Sequence, residues 1–422
     1  MKTEREDALA LDALDPLAAW RERFVLPRDE QGAELVYLCG HSLGAQPLLA
    51  CDYVEEVMRD WRSLGVEGHF EGRRPWTRYH ERLAAPLARL IGAQAAEVTV
   101  MNTLTVNLHL MLVSFYRPRG ERSALLIEKN AFPSDRYAAE SHVRLHGLDP
   151  RRDLIELSAR AGEHCLRTED VIEAISREGR RIATVLLPGV QYLTGQRLEL
   201  EPITAAARAA GCAVGFDLAH SVGNVPLSLH DCGVDFAVWC HYKYLNAGPG
   251  AVAGAFVHER HGRNLQLPRL AGWWGHDPTT RFDMGPDFSP TAGAEGWQLG
   301  NPPILSIAPL AASLEHFETV GIHALREKSL RLTGYAERLL GATLPGRVSI
   351  LTPRDPEARG AALSLRLECA RDQARSAFDG LRRRGVLTDW REPGVIRAAP
   401  VPFYNSYDDV WRFVHALEAE LG

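Results

Sequence analysis

Apolar and polar positions between residues 97 and 258 follow two alternating patterns. Short, mostly apolar runs are typical of strands that are covered on both faces. Such runs predict strands at 98–102, 124–128, 153–158, 182–187, 213–218, 236–240 and 251–257. The intervening segments have helical character, and we expect helices at 134–146, 168–178 and 202–210. This order predicts an α/β fold with a doubly wound, mostly parallel, seven-stranded sheet.

The pattern changes after residue 258. The stretch 259–303 is rich in Gly, Pro, Trp and Asp and has little periodicity. It is too long for a plain connector, so we expect a functional loop. Two helices are predicted beyond it, at 303–319 and 322–340. The tail then alternates strands with helices, which are predicted at 348–351, 362–367, 386–389 and 395–398 and at 371–384 and 406–421. This tail predicts a small α+β domain.

We expect the chain to have three parts. Residues 1–60 are predicted to be mostly helical, with one extended piece at 35–39, and to pack on the small domain. Residues 61–320 are expected to form the large domain, and residues 321–422 the small one. The length of 422 residues fits this division, because domains commonly contain roughly 100–200 residues.

The composition is that of an ordinary globular protein, with 45% hydrophobic and 24% charged residues. The net charge of −6 does not favour a nucleic-acid partner, which would require a basic face. No apolar run reaches the roughly 20 residues that a membrane helix needs. The amino-terminal residues are acidic and lack the apolar core of a signal peptide. We therefore expect a cytoplasmic protein that binds neither nucleic acid nor membranes.

Cysteine and lysine usage narrows the possible chemistry. The seven cysteines are scattered and never spaced as CxxC, so we interpret them as reduced thiols rather than a disulfide or zinc framework. Only four lysines are present: Lys2, Lys129, Lys243 and Lys328. Lys2 is close to the terminus and Lys328 is predicted in the middle of a helix. Any reaction that needs a lysine amine therefore has Lys243 as its first candidate and Lys129 as the rival.

Asp217 and Lys243 follow two consecutive predicted strands. The carboxyl edge of an open α/β sheet is where ligands bind, so both side chains can face one crevice. A carboxylate that pairs with a pyridinium nitrogen, together with a lysine amine, is what pyridoxal phosphate requires. Asp217 alone is more simply interpreted as a structural ion pair or a turn cap. Its combination with one of only four lysines favours the cofactor.

Two predicted helix starts could bind a phosphate or an aromatic ring. The first is the segment 101–107, MNTLTVN, whose N–H groups and threonine hydroxyls suit a phosphate, although an ordinary helix cap accounts for it equally well. The second is the segment 132–135, FPSD, in which Phe132 could stack on a cofactor ring. Taken by itself, this segment is more simply the start of a helix.

Other short patterns carry no function. The chain has no dinucleotide-binding GxGxxG, no P-loop and no GxSxG nucleophile motif. The sequence His258–Glu259–Arg260–His261 is a weak metal pattern, and a solvated turn is the simpler interpretation. We therefore expect no metal.

These residues and their surroundings resemble the kynureninases, which are fold-type I pyridoxal-phosphate enzymes with an aspartate aminotransferase-like fold; the resemblance is to the eukaryote-like subgroup. The matching motifs are HFEGRRPW (69–76), MNTLTVNLHLML (101–112), AFPSD (131–135), GVQYLTGQ (189–196), GFDLAHSVGN (215–224), VDFAVWCHYKYLNAGPG (234–250), GWWGH (272–276), NPPI (301–304) and IRAAPVPFYNS (396–406). Each is unspecific alone, but they follow the family's order along nearly the whole chain.

The resemblance implies pyridoxal 5'-phosphate as cofactor and a role for each matching residue. Lys243 would bind the cofactor covalently, Asp217 would pair with its pyridine nitrogen and Phe132 would stack on its ring. The other cofactor-binding residues would be Leu104, Thr105, Pro133, Ser134, Asp135, His220, Tyr242, Trp273 and Asn301. Trp273 and Asn301 would come from the partner subunit of a homodimer with shared active sites.

The resemblance also implies substrate contacts. Arg397 would bind the substrate α-carboxylate as a bidentate fork, a geometry that suits arginine. His69 and Asn301 would approach the aryl end, where either could hydrogen-bond to a 3-hydroxyl. We therefore expect a higher kcat/KM for 3-hydroxykynurenine than for kynurenine. One departure is Pro188, where some relatives carry a serine, because a proline offers no donor to the cofactor.

The implied reaction is the hydrolysis of the Cβ–Cγ bond of L-kynurenine or 3-hydroxy-L-kynurenine. The products are anthranilate or 3-hydroxyanthranilate and L-alanine, in tryptophan degradation and NAD biosynthesis. Lys243 would remove the Cα proton, and Tyr242 is the candidate donor of the proton that completes alanine. The small-molecule substrate is thus expected to be the main partner besides a second copy of the chain.

Two alternative functions compete with this one. The first is that of another fold-type I lyase or transferase such as a cysteine desulfurase, which needs a catalytic cysteine on a mobile loop. The stretch 259–303 contains no cysteine. The second is that of a catalytically silent relative that only binds a ligand, and the presence of Lys243, Asp217 and Arg397 together argues against it.

Overall fold

The computed structural model describes residues 5–264 and 266–422. Its strands are β1 (Phe24–Val25), β2 (Val36–Tyr37), β3 (Gln46–Pro47), β4 (Val98–Met101), β5 (Ala124–Glu128), β6 (Leu154–Leu157), β7 (Ile182–Pro188), β8 (Ala213–Asp217), β9 (Phe236–Cys240), β10 (Ala253–Val257), β11 (Val348–Ile350), β12 (Leu363–Leu367), β13 (Val386–Leu387), β14 (Asp389–Arg391) and β15 (Val395–Ala398).

The helices alternate with these strands through most of the chain. They are α1 (Arg5–Ala13), α2 (Leu49–Leu64), α3 (Glu81–Ile91), α4 (Leu104–Phe115), α5 (Pro133–Leu145), α6 (Pro150–Asp153), α7 (Thr168–Glu178), α8 (Leu200–Ala209), α9 (Leu229–Cys232), α10 (Glu259–Gly262), α11 (Ile304–Val320), α12 (Ile322–Thr343), α13 (Arg371–Arg383) and α14 (Tyr407–Leu421). Within the described ranges, none of them is both long enough and apolar enough to cross a membrane.

The central sheet has seven strands in the order β4-β10-β9-β8-β7-β5-β6. The strands from β9 to β6 are parallel, whereas β10 is antiparallel to both of its neighbours, β9 and β4. The predicted mostly parallel sheet of seven strands is confirmed. An apolar run reports burial and not direction, so the sequence did not show that β10 is reversed.

Both faces of this sheet are covered. Successive side chains of a strand point to opposite faces, and β9 shows this clearly. Phe236 and Val238 pack with residues of α4 and α5, while Ala237 and Trp239 pack on the other face with residues of α3, α7, α8 and α11. Two covered faces explain why these strands are apolar at nearly every position.

A second sheet is antiparallel and has the order β11-β12-β15-β14. Residues of α12, α13 and α14 share a separate core with it. The single strand predicted at 386–389 is in fact two, because β13 pairs in parallel with β2 while β14 pairs with β15. A continuous β-pattern cannot reveal this change of partner, since the partners lie elsewhere in the chain.

The N-terminal segment contacts both halves of the molecule. Helix α1 packs on α14, and β2 pairs with β13. Helix α2 packs instead against α11, where Tyr53 and Val57 join the core of the central sheet. The division of the chain at residues 60 and 320 stays a prediction.

The irregular stretch 259–303 is packed onto the large sheet's helical layer. Its described residues form only helices of three or four residues. Trp274 and Trp297 are buried, and the Trp297 indole N–H donates to the Ser114 hydroxyl of α4 at 2.8 Å. This stretch is therefore held by buried aromatic side chains rather than by regular secondary structure.

Candidate active site

Strands β7, β8 and β9 end side by side at one edge of the central sheet. Pro188, the last residue of β7, pairs with Asp217, the last of β8, and Lys243 follows the end of β9. A cavity at this edge is lined by Leu104, Thr105, Glu128, Phe132, Ser134, Asp135, Pro188, Val190, Tyr192, Asp217, Ala219, His220, Tyr242 and Lys243. The structure thus brings Asp217 and Lys243 into one crevice, as expected from their strand ends.

Lys243 occupies the middle of the cavity. Its Nζ lies 3.0 Å from Nε2 of His220, 6.0 Å from the ring centroid of Phe132 and 5.9 Å from that of Tyr242. Burial and the Lys243 charge lower the pKa of His220 well below its usual value, so this imidazole is neutral. A neutral imidazole can accept a hydrogen bond from the lysine and orient its amine.

The other lysines have different surroundings. Lys129 is exposed beyond the end of β5. Lys328 is buried in α12, and its Nζ lies 2.7 Å from Oδ2 of the equally buried Asp15. Lys2 lies outside the described residues. Among the lysines that the structure describes, only Lys243 lines the cavity.

Asp217 is buried next to Asp135 of α5. Its Oδ1 accepts a hydrogen bond from the Ala219 N–H at 2.7 Å. Burial raises the pKa of Asp217, while the Lys243 ammonium opposes this effect. Burial and the Asp217 charge raise the pKa of Asp135 well above its usual range, so Asp135 holds a proton beside the Asp217 carboxylate. Oδ1 of Asp135 is buried without a hydrogen-bond partner in the described chain, which a bound N–H donor would satisfy.

A third carboxyl group, Glu128, lies at the end of β5 on the same side. Its Oε1 accepts a hydrogen bond from the Gln191 amide at 3.2 Å. The Gln191 amide is held in this orientation because its oxygen accepts from the N–H groups of Leu193 and Thr194. Burial raises the pKa of Glu128 to about 7. The acidic groups around Lys243 make the cavity suited to a cationic ring nitrogen.

Two helices begin at the cavity and form a cradle for an anion. Leu104 is the first residue of α4, and Ser134 lies in the first turn of α5. The hydroxyls of Thr105 and Ser134 are 2.8 Å apart. Two helix N-termini with free N–H groups and converging hydroxyls are a favourable phosphate site. Pro133 does not line the cavity; it stands at the start of α5, where proline suits the backbone.

Arg397 of β15 is fully buried next to the cavity. Its Nε and Nη2 contact the two carboxylate oxygens of Asp389 at 3.1 and 2.9 Å, and Nη1 donates to the Tyr192 carbonyl at 2.5 Å. Tyr192 itself lines the cavity. The fork that was expected to be free for a substrate is therefore partly used by Asp389, and one N–H of each terminal nitrogen remains available.

Comparison with known proteins assigns the chain to a family. A family model for the kynureninase C-terminal domain matches residues 325–417. The kynureninase of Stenotrophomonas maltophilia is 56% identical over 99% of this chain and 98% of its own. The kynureninase of Myxococcus xanthus is also 56% identical, over 97% of this chain and 96% of its own. The chain belongs to the kynureninase family. The cavity around Lys243 is thus the candidate active site of a family member.

Solved structures with the same fold come from other enzymes. A cysteine desulfurase from Thermococcus onnurineus has a TM-score of 0.76 and 18% identity, covering 91% of this chain and 94% of its own. A variant of C-DES with glycine covalently linked to its PLP cofactor has a TM-score of 0.75 and 17% identity, covering 94% of this chain and 98% of its own. These similarities confirm the predicted fold-type I architecture. At such identities they show the fold alone.

Three residues that the kynureninase resemblance placed in the site lie outside the cavity of their own chain. Trp273 is 40% exposed, and its indole N–H donates to the Arg281 carbonyl at 3.1 Å. His69 packs edge-to-face on Trp76 and lines a separate groove that includes Pro303. Asn301 is exposed two residues before that proline. All three lie in exposed or half-exposed segments of the surface.

Several cavity residues were not singled out from the sequence: Glu128, Val190, Tyr192 and Ala219, with His41 behind them. Glu128 ends a strand in the same way as Asp217, so that signal was present in the sequence. His41 is buried, its ring centroid lies 6.4 Å from that of His220, and neither of its nitrogens has a partner in the described chain. No sequence pattern connects His41 with strand β8, because only the folded chain brings them together.

Proposed function

We propose that this kynureninase family member is a pyridoxal-phosphate-dependent hydrolase of carbon–carbon bonds. It cleaves the Cβ–Cγ bond of L-kynurenine or 3-hydroxy-L-kynurenine to anthranilate or 3-hydroxyanthranilate and L-alanine. The observation that carries the proposal is the single cavity that unites Lys243 with Asp217 and a phosphate cradle, in a chain 56% identical to proteins named kynureninase. A cytoplasmic location belongs to the same proposal, and cell fractionation tests it.

The residues of the cavity fit pyridoxal phosphate. Lys243 would bind the aldehyde carbon, and Asp217 would face the pyridine nitrogen, beside the unpartnered Oδ1 of Asp135. Thr105 and Ser134, whose hydroxyls are 2.8 Å apart, would hold the phosphate. When bound, the cofactor supplies an electron sink for the bond cleavage. Phe132 would cover the ring.

The protein's own groups divide the proton transfers. Lys243 is placed to move the proton at the substrate Cα, with the neutral His220 at 3.0 Å to orient its amine. Burial raises the pKa of Tyr242 above its usual value, so its phenol keeps its proton at neutral pH. We assign Tyr242 as the donor to Cβ of the alanine product. Arg397, aligned by Asp389, would bind the α-carboxylate with its remaining N–H groups.

Absorbance and borohydride reduction test the cofactor assignment. The purified protein should show a visible band that borohydride removes, with the label recovered on Lys243. Lys243→Ala should lose the band and release only traces of fluorescent anthranilate from kynurenine. Lys129→Ala, at an exposed lysine beyond a strand end, is the matched control and should behave like wild type. Substantial turnover by Lys243→Ala would contradict the proposal.

A second variant tests the acid. Asp217→Ala should weaken cofactor retention and slow Cα proton removal, because an unprotonated pyridine is a poorer electron sink. Deuterium exchange at Cα of L-alanine, followed by NMR, measures this step without bond cleavage. If Asp217→Ala exchanged as fast as wild type, Asp217 would be structural only.

We also propose that the active sites are shared in a homodimer. The surface that carries Trp273, His69 and Asn301 includes exposed apolar side chains, namely Trp61, Phe70, Phe282, Met284 and Leu305. Phe70 packs on Phe282 with ring centroids 6.1 Å apart, so these residues form one patch. A second copy of the chain would cover the patch and place its Trp273 and Asn301 at the neighbouring cavity.

The substrate preference follows from the same arrangement. A 3-hydroxyl can hydrogen-bond to His69 or Asn301, and losing such a partner for a partly buried group costs about 1–3 kcal/mol. We propose a higher kcat/KM for 3-hydroxykynurenine than for kynurenine. Both substrates should be measured on wild type and on an Asn301→Thr, His69→Trp double variant, which should lose the preference. Equal values in the wild type would refute it.

The cysteine desulfurase alternative has no support in the cavity. None of the described residues that line it is a cysteine, and the stretch 259–303 has none either. Incubation with L-cysteine and a reductant should release no sulfide.

A further inference from the structure

Three potential metal ligands meet at the edge of the central sheet opposite Lys243. Glu97 immediately precedes β4, and His258 immediately follows β10. These strands are antiparallel neighbours, with Phe256 opposite Val98, so the two side chains lie together. His230 of the short helix α9 completes the group, and one donor atom of each residue lies within 4.8 Å of the others.

The distances between the donor atoms suit one ion. Oε1 of Glu97 lies 3.0 Å from Nδ1 of His230 and 3.5 Å from Nδ1 of His258. Around a tetrahedral Zn²⁺, with bonds of about 2.0–2.2 Å, neighbouring donor atoms are separated by roughly 3.4 Å. The rings of His230 and His258 are stacked with centroids 5.0 Å apart. Small side-chain shifts suffice to point all three donors at one centre.

The surroundings hold these ligands in place. The Glu97 side chain is fully buried, and its two oxygens accept hydrogen bonds from the N–H groups of Glu259 at 2.8 Å and Gln94 at 2.9 Å. The His258 ring also hydrogen-bonds to the backbone of His230. Hydrogen bonds from the backbone to ligating carboxylates and imidazoles are typical of protein metal sites, because they orient the ligands.

The environment leaves one coordination position for water. The His230 side chain is 28% exposed, so solvent reaches the group from that side. The Arg260 N–H approaches Nδ1 of His258 at 3.3 Å, a long hydrogen bond that an ion would replace. Two imidazoles and a carboxylate favour zinc and neighbouring transition metals over magnesium or calcium.

We propose that Glu97, His230 and His258 form a binding site for a divalent transition metal, with Zn²⁺ as the reference ion and water as the fourth ligand. The ion would join the start of β4, helix α9 and the end of β10. It lies across the sheet from Lys243, so its role is to stabilise this edge and not to take part in the reaction.

Metal analysis of the holoenzyme tests the site. The protein is treated with a chelator, dialysed against Zn²⁺ with a competing chelator, and analysed by mass spectrometry for bound metal. We expect one high-affinity Zn²⁺ per chain, and at least a tenfold loss of affinity in His230→Ala and in His258→Ala. His164→Ala, at an exposed histidine, is the matched control and should keep wild-type affinity.

Two further measurements distinguish this site from a cysteine site and from a loss of folding in the variants. With Co²⁺ the absorption spectrum should lack the strong thiolate bands that a cysteine site would give. Zn²⁺ should raise the Tm of wild type and of His164→Ala but not of His230→Ala, whose circular dichroism and cofactor band should match wild type. If wild type bound no Zn²⁺ saturably, or if both histidine variants bound it unchanged, the group would be a Glu97–His230 ion pair only.

Discussion

At the scale of single residues, the surroundings of a side chain decide its chemistry more than its type does. Lys243 has its amine beside a neutral imidazole in an open cavity. Lys328 has the same amine, but Asp15 neutralises it at 2.7 Å inside the protein. Burial lowers the pKa of Lys328, although Asp15 opposes the effect. The sequence showed only that Lys328 lies within a helix.

Lys328 is therefore predicted to be a structural residue. Lys328→Met leaves the Asp15 charge buried without its partner, which should lower the free energy of unfolding by about 3–5 kcal/mol. The double variant Lys328→Met, Asp15→Asn should recover most of this loss, because no unpaired charge remains. Urea unfolding measures both, and the cofactor band should be unchanged in each folded variant. A single variant as stable as wild type would show that the pair contributes nothing.

His241 connects a single residue to the pH dependence of stability. Its Nε2 accepts a hydrogen bond from the Trp239 indole N–H at 2.7 Å, and Nδ1 donates to the Val252 carbonyl at 2.5 Å. These two bonds require the neutral ring. Burial lowers the pKa of His241 to about 4. Its contribution to stability is thus complete above the ordinary histidine pKa of about 6.5 and is lost as pH falls toward 4.

We predict that stability falls as pH is lowered from 6.5 to 5. Burial lowers the pKa of His80 and His142 to about 4 as well, and each such group contributes about 1.4 kcal/mol per pH unit. Glu295, whose pKa burial raises to about 7, acts in the opposite direction, as does Glu128, so the histidines prevail by number. Urea unfolding at several pH values measures the slope. His241→Gln should reduce it by about one proton, and an unchanged slope would contradict the assignment.

At the scale of elements, the starts of α4 and α5 form one functional unit. Each helix start alone is accounted for by ordinary capping, and the sequence left that alternative open for both. The folded chain places the Thr105 and Ser134 hydroxyls 2.8 Å apart, and this convergence is what favours a phosphate. The two helices follow β4 and β5, which are not neighbours in the sheet.

Variants of the two hydroxyls test this unit. Thr105→Val and Ser134→Ala should each weaken binding of pyridoxal phosphate by about tenfold or more, because a hydrogen bond to a charged group contributes roughly 1.5–3 kcal/mol. Titration of the cofactor-free protein, followed by absorbance, gives the Kd. Pyridoxal, which lacks the phosphate, is the control ligand and should bind wild type and variants equally. An equal loss for pyridoxal would indicate a general disruption of the cavity.

At the scale of the whole molecule, the cavity and the aromatic surface are separate parts of one chain. Lys243 and Asp217 line the cavity, whereas Asn301 lies on the exposed surface with Trp273 nearby in sequence. A shared site requires the Asn301 of one copy to complete the cavity of the other.

Mixing inactive variants tests this arrangement. Hybrid dimers of Lys243→Ala and Asn301→Asp should regain activity, because one cavity then has an intact Lys243 and receives an intact Asn301. The matched control mixes Lys243→Ala with Asp217→Ala; both residues belong to one cavity, so no hybrid site is intact and no activity should return. Absence of recovery in the first mixture, despite demonstrated subunit exchange, would mean that each chain builds its own site.

The sequence by itself determined the strands, the helices and the main site residues. Apolar periodicity depends on local burial, and polar residues after consecutive strands must meet at one sheet edge, so Asp217 and Lys243 could be placed in advance. Tertiary structure alone decided the direction of β10, the two partners of the segment 386–391 and the ion pair of Lys328. It also brought together Arg397 with Asp389 and Glu97 with two histidines. These contacts join residues that are distant in the chain, and their formation depends on which faces pack together, a property that no local pattern encodes.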